Sequence, residues 1–159
     1  MKTAFLISSL NAGGAERVVS LLANKLVQNR EVIIITLNEN APFYELDDKI
    51  KIIQCRIISH KGSFVKGFVS NIRLILQLLK IIKSNSINHL ICFMTTSNIL
   101  GIIAGKFLRI KVTITERANP YLEKVGIRDL FRKVLYRWSD KLVVQTDQAK
   151  LFFSSYSDN

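Results

Sequence analysis

Gly13 and Gly14 stand between an apolar run, Thr3 to Ile7, and a segment from Ala15 to Val27 whose apolar residues recur at helical spacing. Glycine in a strand-to-helix bend permits positive φ and leaves room for a ligand to approach the backbone. The amides of the first helical turn, aided by the helix dipole, then favour a phosphate. From the paired glycines alone, a plain βα turn that needs small residues is an equally good reading. Glu16 and Arg17 follow inside the helix. A carboxylate at that position caps the first turn as readily as it meets a ligand, and a surface arginine would look identical to a binding one.

Two later clusters also carry polar groups. Thr95, Thr96 and Asn98 lie on a predicted loop, Met94 to Asn98, where they either bind hydroxyls or cap the following helix. Glu116 and Arg117 open another loop, Glu116 to Pro120. Arg117 is a permanent cation, which excludes proton transfer near neutral pH and suits an anion or a hydroxyl; a local ion pair with Glu116 is the competing role. Other chemistries find no support. His60 and His89 lack companions for a metal site or a triad. Ser8 and Ser9 lack the Gly-x-Ser-x-Gly setting of a nucleophile elbow. The turn Asn11-Ala12-Gly13-Gly14-Ala15-Glu16 fails the dinucleotide fingerprint on glycine spacing, and Glu39 alone is weak support for a ribose acid.

The elements that must position these groups alternate along the chain. Strands are predicted over Thr3 to Ile7, Glu31 to Leu37, Ile50 to Ile53, His89 to Phe93, Lys111 to Thr115 and Lys141 to Val144. Helices are predicted over Ala15 to Val27, Phe64 to Lys83, Ile99 to Leu108, Tyr121 to Trp138 and Gln148 to Tyr156. Asp47-Asp48 reads as a turn. The alternation implies an α/β fold, a Rossmann-like sandwich with a mostly parallel sheet, right-handed crossovers and helices on both faces. Ligands of such sheets gather beyond the carboxyl ends of the strands, where the loops Ser9 to Gly14, Met94 to Asn98, Glu116 to Pro120 and Gln145 to Asp147 fall.

The chain has 159 residues, enough for one domain, and its 48% hydrophobic content with two prolines argues against disorder. With 23 basic and 12 acidic residues it carries a formal charge of +11, which favours anionic partners without choosing among nucleic acid, phospholipid and phosphorylated substrates. Cys55 and Cys92 each sit in an apolar run and read as reduced packing thiols of a cytoplasmic protein. The segment Phe64 to Ile82 is interrupted by Lys66, Arg73 and Lys80, short of the roughly 20 apolar residues of a membrane span. Lys124, Arg128 and Arg132 recur four apart and, with Lys133, Arg137, Tyr136 and Trp138, form a cationic, partly aromatic helix face. That face suits either solvent or an anionic membrane surface, where each basic residue contributes on the order of 1 kcal/mol.

Three stretches together resemble family 4 glycosyltransferases, which have the two-domain GT-B fold. GGAERV after the first strand looks like their N-terminal signature. ITERANPY, Ile114 to Tyr121, is similar to the Ser-Glu-Arg-Asn-x-Pro or Glu-His sequence at the mouth of their interdomain cleft, with Glu116, Arg117, Asn119 and Pro120 matching and Arg117 standing where some relatives have histidine. LYRWSDKLVVQTDQAK, Leu135 to Lys150, resembles their pattern of helix, Ala/Ser-Asp, strand and a Ser/Thr loop opening a helix, which includes Thr146. The resemblance covers essentially the whole chain.

It implies that residues 1–159 form a single N-terminal, acceptor-side domain, and that the C-terminal domain holding the nucleotide sugar is absent from this chain. The implied activity is a hexosyltransferase-type enzyme that retains anomeric configuration, uses no metal or other cofactor, and takes a nucleotide sugar, usually UDP-linked, as substrate. The isolated domain would be inactive. Amides at Gly13, Gly14 and Ala15 would approach the donor diphosphate, while Glu16, Arg17, Thr95, Thr96, Asn98, Glu116, Arg117, Asn119 and Thr146 would line the acceptor cleft. Acceptors would be glycans or lipid-linked glycans of bacterial-type surface polysaccharide, lipopolysaccharide or glycoprotein synthesis. Lys124, Arg128, Arg132, Lys133 and Arg137 would meet the inner face of the membrane, making the protein cytoplasmic and peripheral. The alternatives are a non-catalytic membrane-associated module that recruits a catalytic subunit and, third, a basic nucleic-acid-binding α/β domain; no nucleic-acid-binding signature accompanies the charge, so no nucleic-acid partner is expected.

Overall fold

A computed structural model describes residues 2–55, 64–117 and 127–154. In chain order these form β1 (Thr3–Ile7), α1 (Gly14–Leu26), β2 (Val32–Thr36), β3 (Lys51–Gln54), α2 (Phe64–Ser84), β4 (His89–Phe93), α3 (Thr95–Leu108) and β5 (Lys111–Glu116). Then follow α4 (Ile127–Leu135), a 3₁₀ turn over Tyr136–Trp138, β6 (Lys141–Val144) and α5 (Asp147–Phe153). The six strands make one sheet in the order β3-β2-β1-β4-β5-β6, with every pairing parallel.

Sequence and packing agree on why the middle strands lie where they do. TAFLI and VIIIT are buried at every position, as expected of strands covered on both faces, and the β-branched residues of β2 favour the extended backbone. Alternation divides β1 between two cores. Phe5 and Ile7 pack with Ala15, Val19 and Ala23 of α1, whereas Ala4 and Leu6 belong to a larger core with Leu74, Leu78 and Ile82 of α2. The direction of strand stepping explains the division. The step from β1 to β2 runs opposite to the steps from β4 to β5 to β6, so right-handed crossovers put α1 on one face and α3 and α4 on the other.

The turn predicted at Asp47-Asp48 forms, with Asp47 Oδ1 accepting from the Lys49 amide at 2.9 Å. Cys55 and Cys92 are fully buried free thiols, and burial pushes the Cys55 thiol up to about 11, so both serve packing. His89 is half-buried, with Nε2 2.9 Å from Thr113 Oγ1; His60 lies outside the described residues.

Close packing of α3 on the sheet depends on two glycines one helical turn apart. A Cβ on Gly101 would overlap the Cys92 thiol, and one on Gly105 would overlap the Val112 side chain. Both neighbours are buried, so neither has room to retreat. Gly101→Ala is therefore expected to lower the unfolding free energy by about 2 kcal/mol despite alanine's better helix propensity, as read by urea denaturation. Unchanged stability would show that α3 can slide over β4 at no cost.

Three expectations need correction. Thr95, Thr96 and Asn98 are not on a loop: α3 begins at Thr95, and only Met94 separates it from β4. Neither Gly13 nor Gly14 uses positive φ; Gly13 is extended at φ −165° and ψ 162°, a conformation open to any residue. Arg132, expected on the outer basic stripe, is only 2% exposed.

Candidate functional site

Strand order reverses between β1 and β4, so the carboxyl ends of these two strands flank the crevice where an open parallel sheet presents its ligand site. One wall is the β1–α1 connection. Gly13 caps α1 without a side-chain hydrogen bond, leaving the first helical amides to other partners. The Glu16 carboxylate folds back over Gly13, in the space a Cβ would need, and accepts from Ser9 Oγ at 3.4 Å. Gly13 is thus small for the sake of Glu16. Gly14 is different: it is exposed, and a Cβ there would touch nothing within 4 Å. The protein's own packing makes no demand for glycine at this position, which opens to solvent at the first turn of α1. Arg17 is exposed one turn further on.

The other wall is the one-residue turn at Met94, where φ is 73° and ψ 152°. A non-glycine residue in that region costs on the order of 1–3 kcal/mol and persists only where its surroundings hold it. They do so here through backbone and side chains together. Met94 donates its amide to the Thr115 carbonyl at 3.2 Å and accepts from the Asn98 amide at 2.9 Å. Thr115 Oγ1 in turn donates to the Cys92 carbonyl at 3.0 Å.

Beneath this turn lies a buried polar cluster. Glu116, 2% exposed, accepts at Oε1 from Thr95 Oγ1 at 3.1 Å and from the Tyr136 hydroxyl. Asn98 Nδ2 is 3.2 Å from both Glu116 Oε1 and the Tyr136 oxygen, and 3.0 Å from the Thr115 carbonyl. Arg132 supplies positive charge from α4, with its guanidinium carbon 4.9 Å from the centre of the Phe153 ring. Burial pushes the Glu116 carboxyl above its ordinary value; the Tyr136 hydrogen bond, the Arg132 charge, Thr95 and Asn98 pull the other way. Burial and the Glu116 charge both raise the Tyr136 hydroxyl, which stays protonated and donates.

Thr95, Asn98 and Glu116 are thus brought together, but facing inward as a clamp on the turn. Thr96, exposed, and Arg117, half-exposed, are the members of the two polar clusters left at the rim. Alternation past the end of β5 explains the last: Val112, Ile114 and Glu116 face the α3 side, and Arg117 follows on the opposite one.

Residues 12–156 match the sequence profile of Glycosyltransferase Family 4. The chain belongs to that family. A relative in Campylobacter jejuni is the GalNAc-alpha-(1->4)-GalNAc-alpha-(1->3)-diNAcBac-PP-undecaprenol alpha-1,4-N-acetyl-D-galactosaminyltransferase, 31% identical over 156 residues. That match takes in 98% of this chain but spans only 43% of the transferase. Among solved structures, sucrose-phosphate synthase from Thermosynechococcus elongatus aligns over 100% of this chain and 46% of its own at TM-score 0.71 and 15% identity. UDP-N-acetylglucosamine 2-epimerase from Rickettsia bellii aligns over 98% and 41% at TM-score 0.70 and 12% identity. Likeness at such low identity establishes the fold, a Rossmann-like half of the GT-B architecture, and an epimerase beside a synthase shows that the fold leaves the chemistry open.

Of the remaining residues expected at the cleft of this Family 4 domain, Thr146 lies apart from the crevice. Thr146 caps α5, accepting from the Ala149 amide at 3.1 Å, beyond the edge strand β6 and three strands from β1. Asn119 and Lys124 lie outside the described residues, as does the side chain of Arg128. Lys133 and Arg137 are exposed on the α4 side. Tyr136, expected on the outer cationic and aromatic face, is instead fully buried at the site, and Met94, expected only as the start of a loop, is its strained turn; a methionine after a strand and a tyrosine beside a basic helix carry no local signal for these roles. No described helix is long and apolar enough to cross a membrane.

Proposed function

We propose that this Family 4 domain is the acceptor-side, N-terminal half of a retaining, metal-independent glycosyltransferase. It transfers a sugar from a UDP-linked donor, delivered by a C-terminal domain, to a lipid-linked glycan of bacterial surface polysaccharide, lipopolysaccharide or glycoprotein synthesis. The observation that carries this reading is the 31% identity, over nearly the whole chain, to a transferase named for an undecaprenyl-diphosphate-linked acceptor. The open face of Gly14 supports it. Free amides at an uncrowded helix N-terminus suit a diphosphate, and the charge that develops on the leaving nucleotide would be stabilised there.

In this reading the amides of Gly13, Gly14 and Ala15 approach the diphosphate as the two domains close. Glu16, already folded over the turn, is available to a sugar hydroxyl; Arg17, Thr96, Arg117 and Asn119 complete the acceptor side. Glu116, Thr95 and Asn98 position rather than touch, by holding the Met94 turn and the root of the Arg117 loop. Lys124, Arg128, Lys133 and Arg137 meet an anionic membrane surface on the cytoplasmic side, and Arg132 leaves that set because it is buried.

The test is transfer by the intact protein, with UDP-sugars and an undecaprenyl-diphosphate-linked glycan, with and without a chelator. Chelator-resistant transfer is expected, and none from this domain alone. An intact protein that binds no sugar nucleotide would overturn the reading and favour a module that recruits a separate catalytic subunit.

A further inference from the structure

The connection from β2 to β3 runs beside the β1–α1 turn at the carboxyl ends of the strands. Leu37 and Asn38 donate their amides to the Ile7 and Ser8 carbonyls at 3.2 and 2.9 Å, and Phe43 donates to the Leu10 carbonyl at 2.8 Å, just short of Gly13. The chain then passes down the flank of α1. There Asn24 Nδ2 donates to the Glu45 carbonyl at 3.0 Å, Asn24 Oδ1 accepts from the Asp47 amide at 2.9 Å, and Gln28 Nε2 donates to Asp47 Oδ2 at 3.0 Å. Pro42, with its fixed φ, leads into Phe43. The backbone that carries Phe43 is therefore held on both sides.

The ring itself is not used by the core. Phe43 is 67% exposed, whereas Leu10 is buried and Leu46 packs against the core on the α1 face. Among the described residues its ring meets Tyr44, with centroids 5.1 Å apart and planes at 83°. An edge-to-face contact takes at most one face of a ring, so another is open. Single apolar residues on a surface need no explanation, but place sets this one apart. Phe107 and Trp138 are also exposed, yet they precede β5 and β6 at the amino ends of the strands, and exposed Phe131 lies on α4. Phe43 is the exposed aromatic residue bonded to the wall of the crevice.

A flat apolar face, fixed and in water, suits a ligand that is hydroxylated at its rim and apolar on its faces. A pyranose ring has that form: its C–H groups, polarised by the attached oxygens, meet the electron-rich face of an aromatic ring and leave the hydroxyls to polar neighbours. Asn38 and Asn40, exposed on the same connection, supply donors and acceptors of that kind. A rigid ring on a held backbone also loses little freedom when it binds. We infer that Phe43 is a stacking platform for a pyranose ring of the acceptor glycan. The inference rests on the acceptor-side reading above and adds a residue outside the three stretches that resemble the family.

The intact protein is titrated with hexose and N-acetylhexosamine disaccharides free of lipid and phosphate, read by saturation-transfer NMR, and its KM for an undecaprenyl-diphosphate-linked glycan is measured in parallel. Saturation of C–H protons on one pyranose face is expected. Phe43→Ala should abolish it and raise the acceptor KM about tenfold, with kcat and the donor KM changed by less than about twofold. Phe43→Trp should restore both readouts, and Phe43→Leu, which keeps apolar area without a flat face, should not. Phe107→Ala should leave both unchanged. An unaltered acceptor KM in Phe43→Ala, or full rescue by Phe43→Leu, would overturn the platform and leave the transferase standing. A raised donor KM in its place would assign the ring to the nucleotide and overturn the acceptor assignment. Disaccharide saturation lost in Phe43→Ala, from a protein that transfers no sugar, would uphold the platform and overturn the transferase. Neither saturation nor transfer would overturn both.

Discussion

Arg132→Met is expected to lower the unfolding free energy by about 3 kcal/mol at neutral pH, because it strips the buried Glu116 carboxylate of the Arg132 charge that favours its ionised form. The volume of the side chain is roughly kept, so the loss is electrostatic. Its pH dependence separates it from a packing defect. Burial raises the folded-state titration of Glu116 above its ordinary 4.5, so protonation favours the folded chain. The stability from this group is complete below the unfolded-state value and is lost as pH rises through the folded one. Without Arg132 the carboxylate is harder still to ionise, and the penalty should shrink as pH falls toward 4.5 and Glu116 becomes neutral. Urea denaturation across that range checks it. The double variant Glu116→Gln/Arg132→Met should recover most of the loss, since no uncompensated buried charge remains. A penalty constant with pH would mean that Arg132 is chiefly a packing residue.

Gly14→Leu should do the reverse, sparing the fold and removing the function. A side chain there enters open space, so stability should stay within about 0.5 kcal/mol of the parent. Turnover by the intact transferase should fall on the order of 10², the size of effect seen when donors to a developing charge are lost or a reactant is displaced by an ångström. Gly13→Ala has a different signature, because its Cβ displaces the Glu16 carboxylate from the turn rather than projecting into the crevice. Full activity in Gly14→Leu would remove the first turn of α1 from the donor site.

The strands were legible from their apolar runs and the turn residues that bound them. His89–Phe93 and Lys141–Val144 coincide with prediction, and Thr3–Ile7 does as well, because short apolar runs bounded by turn residues have few other solutions. The start of α3 was not legible. Thr95, Thr96, Ser97 and Asn98 read as a polar loop, yet Ser97 and Asn98 are fully buried and the helix turns its polar groups inward. Periodicity assumes that polar residues face water, and a buried acid elsewhere reverses that assumption. Arg132 was misread for the same reason: its spacing from Arg128 placed it on a surface stripe, whereas the Glu116 charge it answers lies on a different element. Of the two reasons the sequence offered for the glycine pair, positive φ fails and free space beside the backbone stands at Gly14. Its φ values are ordinary; what distinguishes it is a carboxylate laid over one residue and empty space beside the other.

The placement of β1 also sets an order of events. Of the described strands β1 is made before the others, and it is one of the sheet's two central strands, bonded on one side to β2 and on the other to β4, where Thr3 pairs with His89. Until His89–Phe93 has been synthesised, TAFLI has one neighbour and an apolar edge with nothing beside it. Loop-closure entropy must be met before that long-range pairing yields any return, so the nascent chain stays open to aggregation through the synthesis of α1, β2, β3 and α2. Slow decoding or truncation before β4 should therefore be harmful out of proportion to the residues missing, and truncation within α5, at the periphery, should be tolerated far better.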